Sequence, residues 1–260
     1  MATSAGTDDQ VKVAWVTHHL IKEEERSDAL LPGLYAGGAE LNDAVMRSHQ
    51  PAGYDLDVIG PDDWAQAMDY ERVVITGTDR LSEEAMVQLA TKSPLVWIQH
   101  AQQPAAARKH LFEKAAPFIT MSRLHQAHEA RWSRVSDEFV HSPVWDVNEV
   151  QPAVKESFAL FAARNHPAKG KINARIKADQ LGIPLVELSN VDRSVVLEHM
   201  ARAQYFIHLP KEFDACPRTV IEATLAGCEV ITNAHLVGRL EPGDAREILT
   251  QQPPKFWSLV

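Results

Sequence analysis

Cysteine is almost absent: Cys216 and Cys228 are its two in 260 residues. Two thiols cannot build a disulfide framework or a four-thiolate zinc site, and such usage points to a reducing compartment. Long apolar runs are missing too. No stretch reads as a membrane span, and the opening residues, with Asp8 and Asp9, do not read as a secretory signal. A cytoplasmic location is the expectation. Positive charge is in deficit, 26 Lys and Arg against 35 Asp and Glu, for a net charge of −9. That balance argues against a broadly basic nucleic-acid surface while leaving room for a local patch. Internal repeats, low-complexity tracts and heptads are also lacking.

What is present is an ordinary globular balance, 45% hydrophobic and 23% charged, in a chain long enough for two cores. Short apolar strands alternate with helical patterns. Strands are expected at 11–17, 57–59, 73–76, 95–98 and 118–121, then at 158–163, 185–188 and 205–209. Helices are expected from Ser82, over 105–115, from Arg123 to Trp132 and from Arg193 to Ala203. This rhythm predicts an α/β protein with parallel sheets covered by helices on both faces. A polar, proline-flanked stretch from Ser142 to Lys155 reads as a linker, giving an amino-terminal domain of residues 1–145 and a carboxyl-terminal domain of residues 146–260. Twelve histidines form no H-E-x-x-H motif. His125 and His128 share one expected helix and are read as surface residues, so no metal site is expected.

The most informative stretch is 212–233, EFDACPRTVIEATLAGCEVITN. Pro217 suits the first position of a helix, Val220, Ile221, Thr224 and Leu225 recur at helical spacing, and Gly227 suits a left-handed helix stop. Glu222 is a carboxylate among apolar neighbours, eight positions after Asp214. Taken alone, the stretch fits equally well a solvated helix residue behind an acidic loop. Upstream, the strand at 158–163 runs into Arg164-Asn165-His166-Pro167-Ala168-Lys169-Gly170, a basic loop before a helix. Near the amino terminus, Gly37 and Gly38 open a helix through Met46, and paired glycines there expose backbone N–H groups. His100 follows the strand at 95–98 and belongs at a carboxyl sheet edge, with Thr76, Gly77, Thr78 and Asp79 on the same edge.

These motifs together resemble the GT-B-fold retaining glycosyltransferases, whose donor-side signature is a carboxylate, seven residues and a glutamate. Here that is Asp214-x7-Glu222. The family usually has glutamate first, so either Asp214 or Glu212 takes that part. The resemblance implies two Rossmann-like domains with a cleft between them and the donor in the second. It implies that Arg164 and Lys169 hold a nucleotide diphosphate, that Glu222 binds the ribose, and that backbone N–H groups at Thr219 and Val220 add to the phosphate site. It further implies that Gly37 and Gly38 lie at the cleft and that His100 touches sugar or acceptor. The last helix of the family crosses back to the first domain, and Pro253 to Trp257 are the expected equivalent.

The function so implied is transfer of a sugar from a nucleotide diphosphate sugar, a UDP-sugar being the expected donor, to a hydroxyl with retention and without a cofactor. The compact size is similar to that of bacteriophage-encoded members. That likeness makes a hydroxymethylated base in phage DNA one expected acceptor, met by basic residues between Arg108 and Arg134. A cell-surface glycan, a lipid and a small metabolite stay open as acceptors. A nucleotide-sugar epimerase and a non-catalytic nucleotide-sugar-binding protein stay open as functions.

Overall fold

The computed structural model describes residues 10–18, 38–99, 106–144, 146–163 and 166–260. The first sheet is built from β1 (Val11–Val16), β2 (Tyr54–Ile59), β3 (Arg72–Ile75), β4 (Leu95–Trp97), β5 (Phe118–Thr120) and β6 (Glu138–Phe139). All pairings are parallel, in the order β2-β1-β3-β4-β5-β6. Residues 13–16 of β1 are fully buried, as expected of a strand covered on both faces, where alternation gives way to continuous apolar sequence. The helices are α1 (Gly38–Ser48), α2 (Glu83–Ala90), α3 (Ala106–Lys114) and α4 (Arg123–Glu129). Ser82 caps α2 by accepting from the Ala85 N–H.

The second sheet holds β7 (Glu156–Ala162), β8 (Leu185–Leu188), β9 (Ala203–His208) and β10 (Glu229–Thr232), parallel in the order β10-β9-β7-β8. Helices α5 (Lys171–Leu181), α6 (Arg193–Arg202) and α7 (Arg218–Leu225) connect its strands. In each sheet the first strand has neighbours on both sides, so the winding reverses between β1 and β3 and between β7 and β9. Loops diverge at such points and leave a crevice at the carboxyl edge.

Two short helices, α8 (Ala245–Thr250) and α9 (Gln252–Trp257), finish the chain. As expected, it crosses back to the first sheet. The Phe256 ring lies 5.4 Å from Trp15 and 5.1 Å from Trp97, and Trp257 Nε1 donates to the Met46 carbonyl at 2.8 Å. Arg246 donates to the Val147 and Val150 carbonyls, tying α8 to the stretch between β6 and β7. Among the described residues no helix is long and apolar enough to cross a membrane.

Several local expectations are corrected. Helix α4 stops at Glu129, short of Trp132, which is left partly exposed. His125 on it is fully buried beside Glu129, because the helix packs that face inward instead of toward water. Pro217 is the cap of α7, not its first residue: its ψ of 125° is extended, and the helix starts at Arg218. Gly227, at φ 75°, does stop that helix. Its N–H donates to the Thr224 carbonyl and that of Cys228 to the Ala223 carbonyl, the paired bonds of a Schellman ending.

Lys155, just before β7, joins two helix ends. Its Nζ donates to the carbonyls of Met200 and Ala201 in the last turn of α6 and to that of Ala226 after α7. The negative ends of two helix dipoles thus converge on one ammonium. Lys155→Met is expected to cost about 2 kcal/mol, the loss of a charged hydrogen-bond donor. A thermal melt should show a midpoint lower by roughly 4–8 °C, and an unchanged midpoint would refute this role.

Candidate active site

At the carboxyl edge of the second sheet, the loop after β7 folds against the end of β9. Gly170 permits this: its φ is 81°, and a Cβ there would lie 1.8 Å from the Leu209 carbonyl oxygen. Lys211 N–H donates to the Ala168 carbonyl at 2.8 Å, and Asn173 Nδ2 to the Leu209 carbonyl at 3.0 Å. This packing delivers Lys169 Nζ to Asp214 Oδ2 at 2.7 Å, joining two of the expected donor-site residues across 45 positions of sequence.

Asp214 is fixed through its backbone, whose N–H donates to Leu236 O and whose carbonyl accepts from Gly238 N–H. His208 Nε2 lies 3.2 Å from the same Oδ2. Oδ1 has no protein partner among the described residues, and the side chain is 17% exposed. Burial pushes the Asp214 carboxyl up, but the His208 hydrogen bond and the Lys169 charge together outweigh it and hold it at about 2. The group is therefore a fixed anion whose Oδ1 accepts from none of the described residues. Glu212, the other acid considered for this part, is exposed.

Glu222 is buried at 3% exposure and accepts from Arg193 Nε at 3.0 Å, while Arg193 also reaches Glu149 at 2.7 Å. Burial disfavours the Arg193 charge, but the two carboxylates outweigh it and raise its pKa. Val220 N–H, expected to face a phosphate, instead donates to the Pro217 carbonyl at 3.0 Å, because the first turn of α7 closes on its own cap. Thr219 is partly exposed in that turn. Gly38 begins α1. Arg164, His100 and Gly37 lie outside the described residues.

The facing edge of the first sheet is organised by Asp43, a fully buried carboxylate on α1. It accepts from Thr17 Oγ1 at 2.7 Å after β1, from Thr76 Oγ1 at 2.6 Å after β3 and from Gln99 Nε2 after β4. Burial raises its pKa, partly offset by these donors and by Arg47. Gln99 Oε1 in turn accepts from Asn42 Nδ2 at 2.9 Å, and Arg218, the first residue of α7, donates to Asn42 Oδ1 at 3.3 Å. A polar chain thus connects the edges of the two sheets. Ser122 donates to Ala215 O at 2.7 Å and Ser142 to Cys216 O at 2.9 Å, adding two more ties. On the rim, His18 Nδ1 lies 3.5 Å from Asp79 Oδ1.

Phe213, between Glu212 and Asp214, stacks on the His128 ring at 4.2 Å, so α4 of the first half supports the acidic loop of the second. Burial drives the Cys216 thiol up to about 12, which removes it as a nucleophile. Among the described residues no group of three or more His, Cys, Asp or Glu side chains is arranged to hold a metal ion.

Sequence reasoning missed His208, Arg193, Asn42 and Asp43. His208 carried a usable signal, since it ends an apolar strand at a carboxyl edge, the argument applied to His100. Asp43 also stood out as an acid within the apolar pattern Leu41, Val45, Met46. Nothing local marks Arg193, whose partner lies on another helix.

No protein-family model matches the sequence, and no curated protein matches it. Solved structures match it in fold. Sucrose-phosphate synthase from Thermosynechococcus elongatus is similar with a TM-score of 0.62 at 13% identity, over 96% of this chain and 92% of that one. AviGT4, a glycosyltransferase involved in avilamycin A biosynthesis, gives 0.52 at 15% identity over 96% and 91%. Anabaena HepE, solved in complex with UDP-glucose, gives 0.51 at 14% identity over 96% and 90%. With its parallel sheets of six and four strands and a last helix that returns to the first, the chain has the two-domain Rossmann-like GT-B fold seen in these solved structures.

Proposed function

We propose that this chain is a retaining glycosyltransferase that moves a sugar from a UDP-sugar to an acceptor hydroxyl, with residues 146–260 holding the donor and residues 1–145 lining the acceptor side. The observation that carries this is the contact of Lys169 with Asp214 at the β7/β9 switch point, 2.7 Å apart, with Asp214 Oδ1 unpaired among the described residues. A crevice outside a parallel sheet is where nucleotides bind. There Lys169, with Arg164, meets the diphosphate, and Asp214, rather than the exposed Glu212, accepts from a sugar hydroxyl. Glu222, held by Arg193, accepts from the ribose.

Breaking the bond between the anomeric carbon and the phosphate oxygen moves an electron pair onto the diphosphate. Lys169 stabilises that added charge more than it stabilises the bound donor, which lowers the barrier. The acceptor oxygen bonds to the anomeric carbon on the face the phosphate leaves, and its proton passes to the leaving phosphate oxygen. This route needs no protein nucleophile, consistent with a buried, protonated Cys216.

Of the basic residues behind the DNA acceptor, Lys114 and Arg131 are exposed and three others pair within the chain. Arg134 forks onto Asp137 and two carbonyls, Arg123 pairs with Glu241 and Lys109 with Glu113. Incubation with a panel of nucleotide sugars and acceptors, hydroxymethylated DNA among them, tests the assignment. Acceptor-dependent release of UDP is expected; an epimerised sugar, or binding without release, would overturn it. Within the same site, Glu222→Gln is expected to weaken UDP binding about tenfold, since a hydrogen bond to a charged group is worth roughly 1.5 kcal/mol. Calorimetry showing unchanged affinity would remove the ribose role.

A further inference from the structure

His208 is a buried, titratable side chain at the donor site to which the mechanism above gives no task. It ends β9 at 1% exposure, and its backbone is set by register against Thr232 of β10. Its Nε2 lies 3.2 Å from Asp214 Oδ2. An ionised carboxylate only accepts hydrogen bonds, so Nε2 carries the proton. His208 Nδ1 is buried with no hydrogen-bond partner among the described residues, which leaves Asp214 as the ring's one polar tether.

The contrast with Lys169 gives this pair its meaning. Both donors converge on Oδ2, but they differ in mobility and in the demands made on them. Lys169 is a point charge on a flexible stem, 37% exposed, and the donor reading asks it to serve a diphosphate as well. As the ammonium turns to the phosphate, a deeply set carboxylate would be left with less to offset its desolvation. His208, rooted in a sheet strand, is not drawn away. We infer that His208 is a positioning residue that keeps Asp214 Oδ2 engaged while Lys169 serves the diphosphate, so that Oδ1 stays presented to a hydroxyl of the donor sugar.

This rests on the donor-site reading proposed above. The charged and titratable groups around Asp214 are Lys169 and His208, with the Cys216 thiol nearby. Because His208 helps hold the carboxyl low, its removal lets the Asp214 pKa rise. A reaction that needs the Asp214 anion would then fail at a higher pH than in the wild type.

The test compares His208→Leu, His208→Gln and His208→Asn, using the donor of the panel that gives the fastest UDP release and UDP itself for binding. The leucine variant is expected to keep UDP affinity within about threefold of wild type while kcat falls about tenfold or more, the pattern of a contact that matters in the transition state. The acid limb of its kcat profile should move to higher pH. Glutamine, whose amide nitrogen can stand near the Nε2 position, should restore both readouts; asparagine, which stands in for Nδ1, should not. If the leucine variant unfolds, the glutamine and asparagine pair carries the comparison. An active wild type with an unmoved kcat and acid limb in the leucine variant overturns the inference, as does equal failure of glutamine and asparagine. A wild type that neither binds UDP nor releases it from any donor removes the donor-site reading as well, and shows this without any variant.

Discussion

Lys169→Ala is expected to lower sugar transfer about a hundredfold or more, the usual cost of losing one preorganised group at a site of developing charge. Two effects add in the same direction. The diphosphate loses a cation fixed at the sheet edge by the Gly170 loop. Asp214 loses the ion pair at 2.7 Å and, among the described residues, keeps the contact with His208, so its carboxyl rises from about 2 toward the ordinary range. Lys169→Arg separates the effects: it retains charge near Asp214 but presents a planar fork in place of a point charge, and should recover part of the rate. Steady-state kinetics over the acid-to-neutral range, with UDP affinity by calorimetry, measures both. Hydrolysis of the donor without acceptor should fall in parallel, because it breaks the same bond. An alanine variant within a few-fold of wild type would show that Lys169 does not meet the charge that develops.

Phe256→Ala should have the largest effect on stability, about 3–5 kcal/mol, as for other buried phenylalanines cut to alanine. The ring is fully buried in α9 and packs against Trp15 of β1 and Trp97 of β4. The two tryptophan rings cannot close over the missing volume without moving strands, so a cavity is the expected result. At roughly 2–4 °C per kcal/mol for a chain of this size, the melting midpoint should fall by about 6–20 °C. Circular dichroism would register it, and a midpoint within 3 °C of wild type (about 1 kcal/mol) would show that α9 contributes little. Since α9 also ties the carboxyl-terminal end to α1 through Trp257 and Met46, the variant tests whether that return segment helps hold the two halves together.

The sequence by itself determined what depends on neighbours in the chain. Apolar strands alternating with helices fixed the α/β class and two parallel sheets, because buried strands need unbroken runs such as Val13 to Val16 and helices need their own spacing. Gly227 ended α7 as expected, since a left-handed residue there is a local demand. The pairing of Lys169 with Asp214 was foreseen only as membership of one site. Tertiary structure decided the rest. It made Asp214 and not Glu212 the acid beside Lys169, because Leu236 and Gly238 hold one backbone position while the other is left in solvent. It placed Arg193 on Glu222 from a different helix, turned His125 inward against Glu129, and spent the Val220 N–H on Pro217. Asn42 meets Arg218 across 176 residues. Burial and long-range partners are properties of the assembled sheets: the charge on a side chain can be read from its identity, but what it faces, and whether water still reaches it, is set only when distant segments are brought to the same edge.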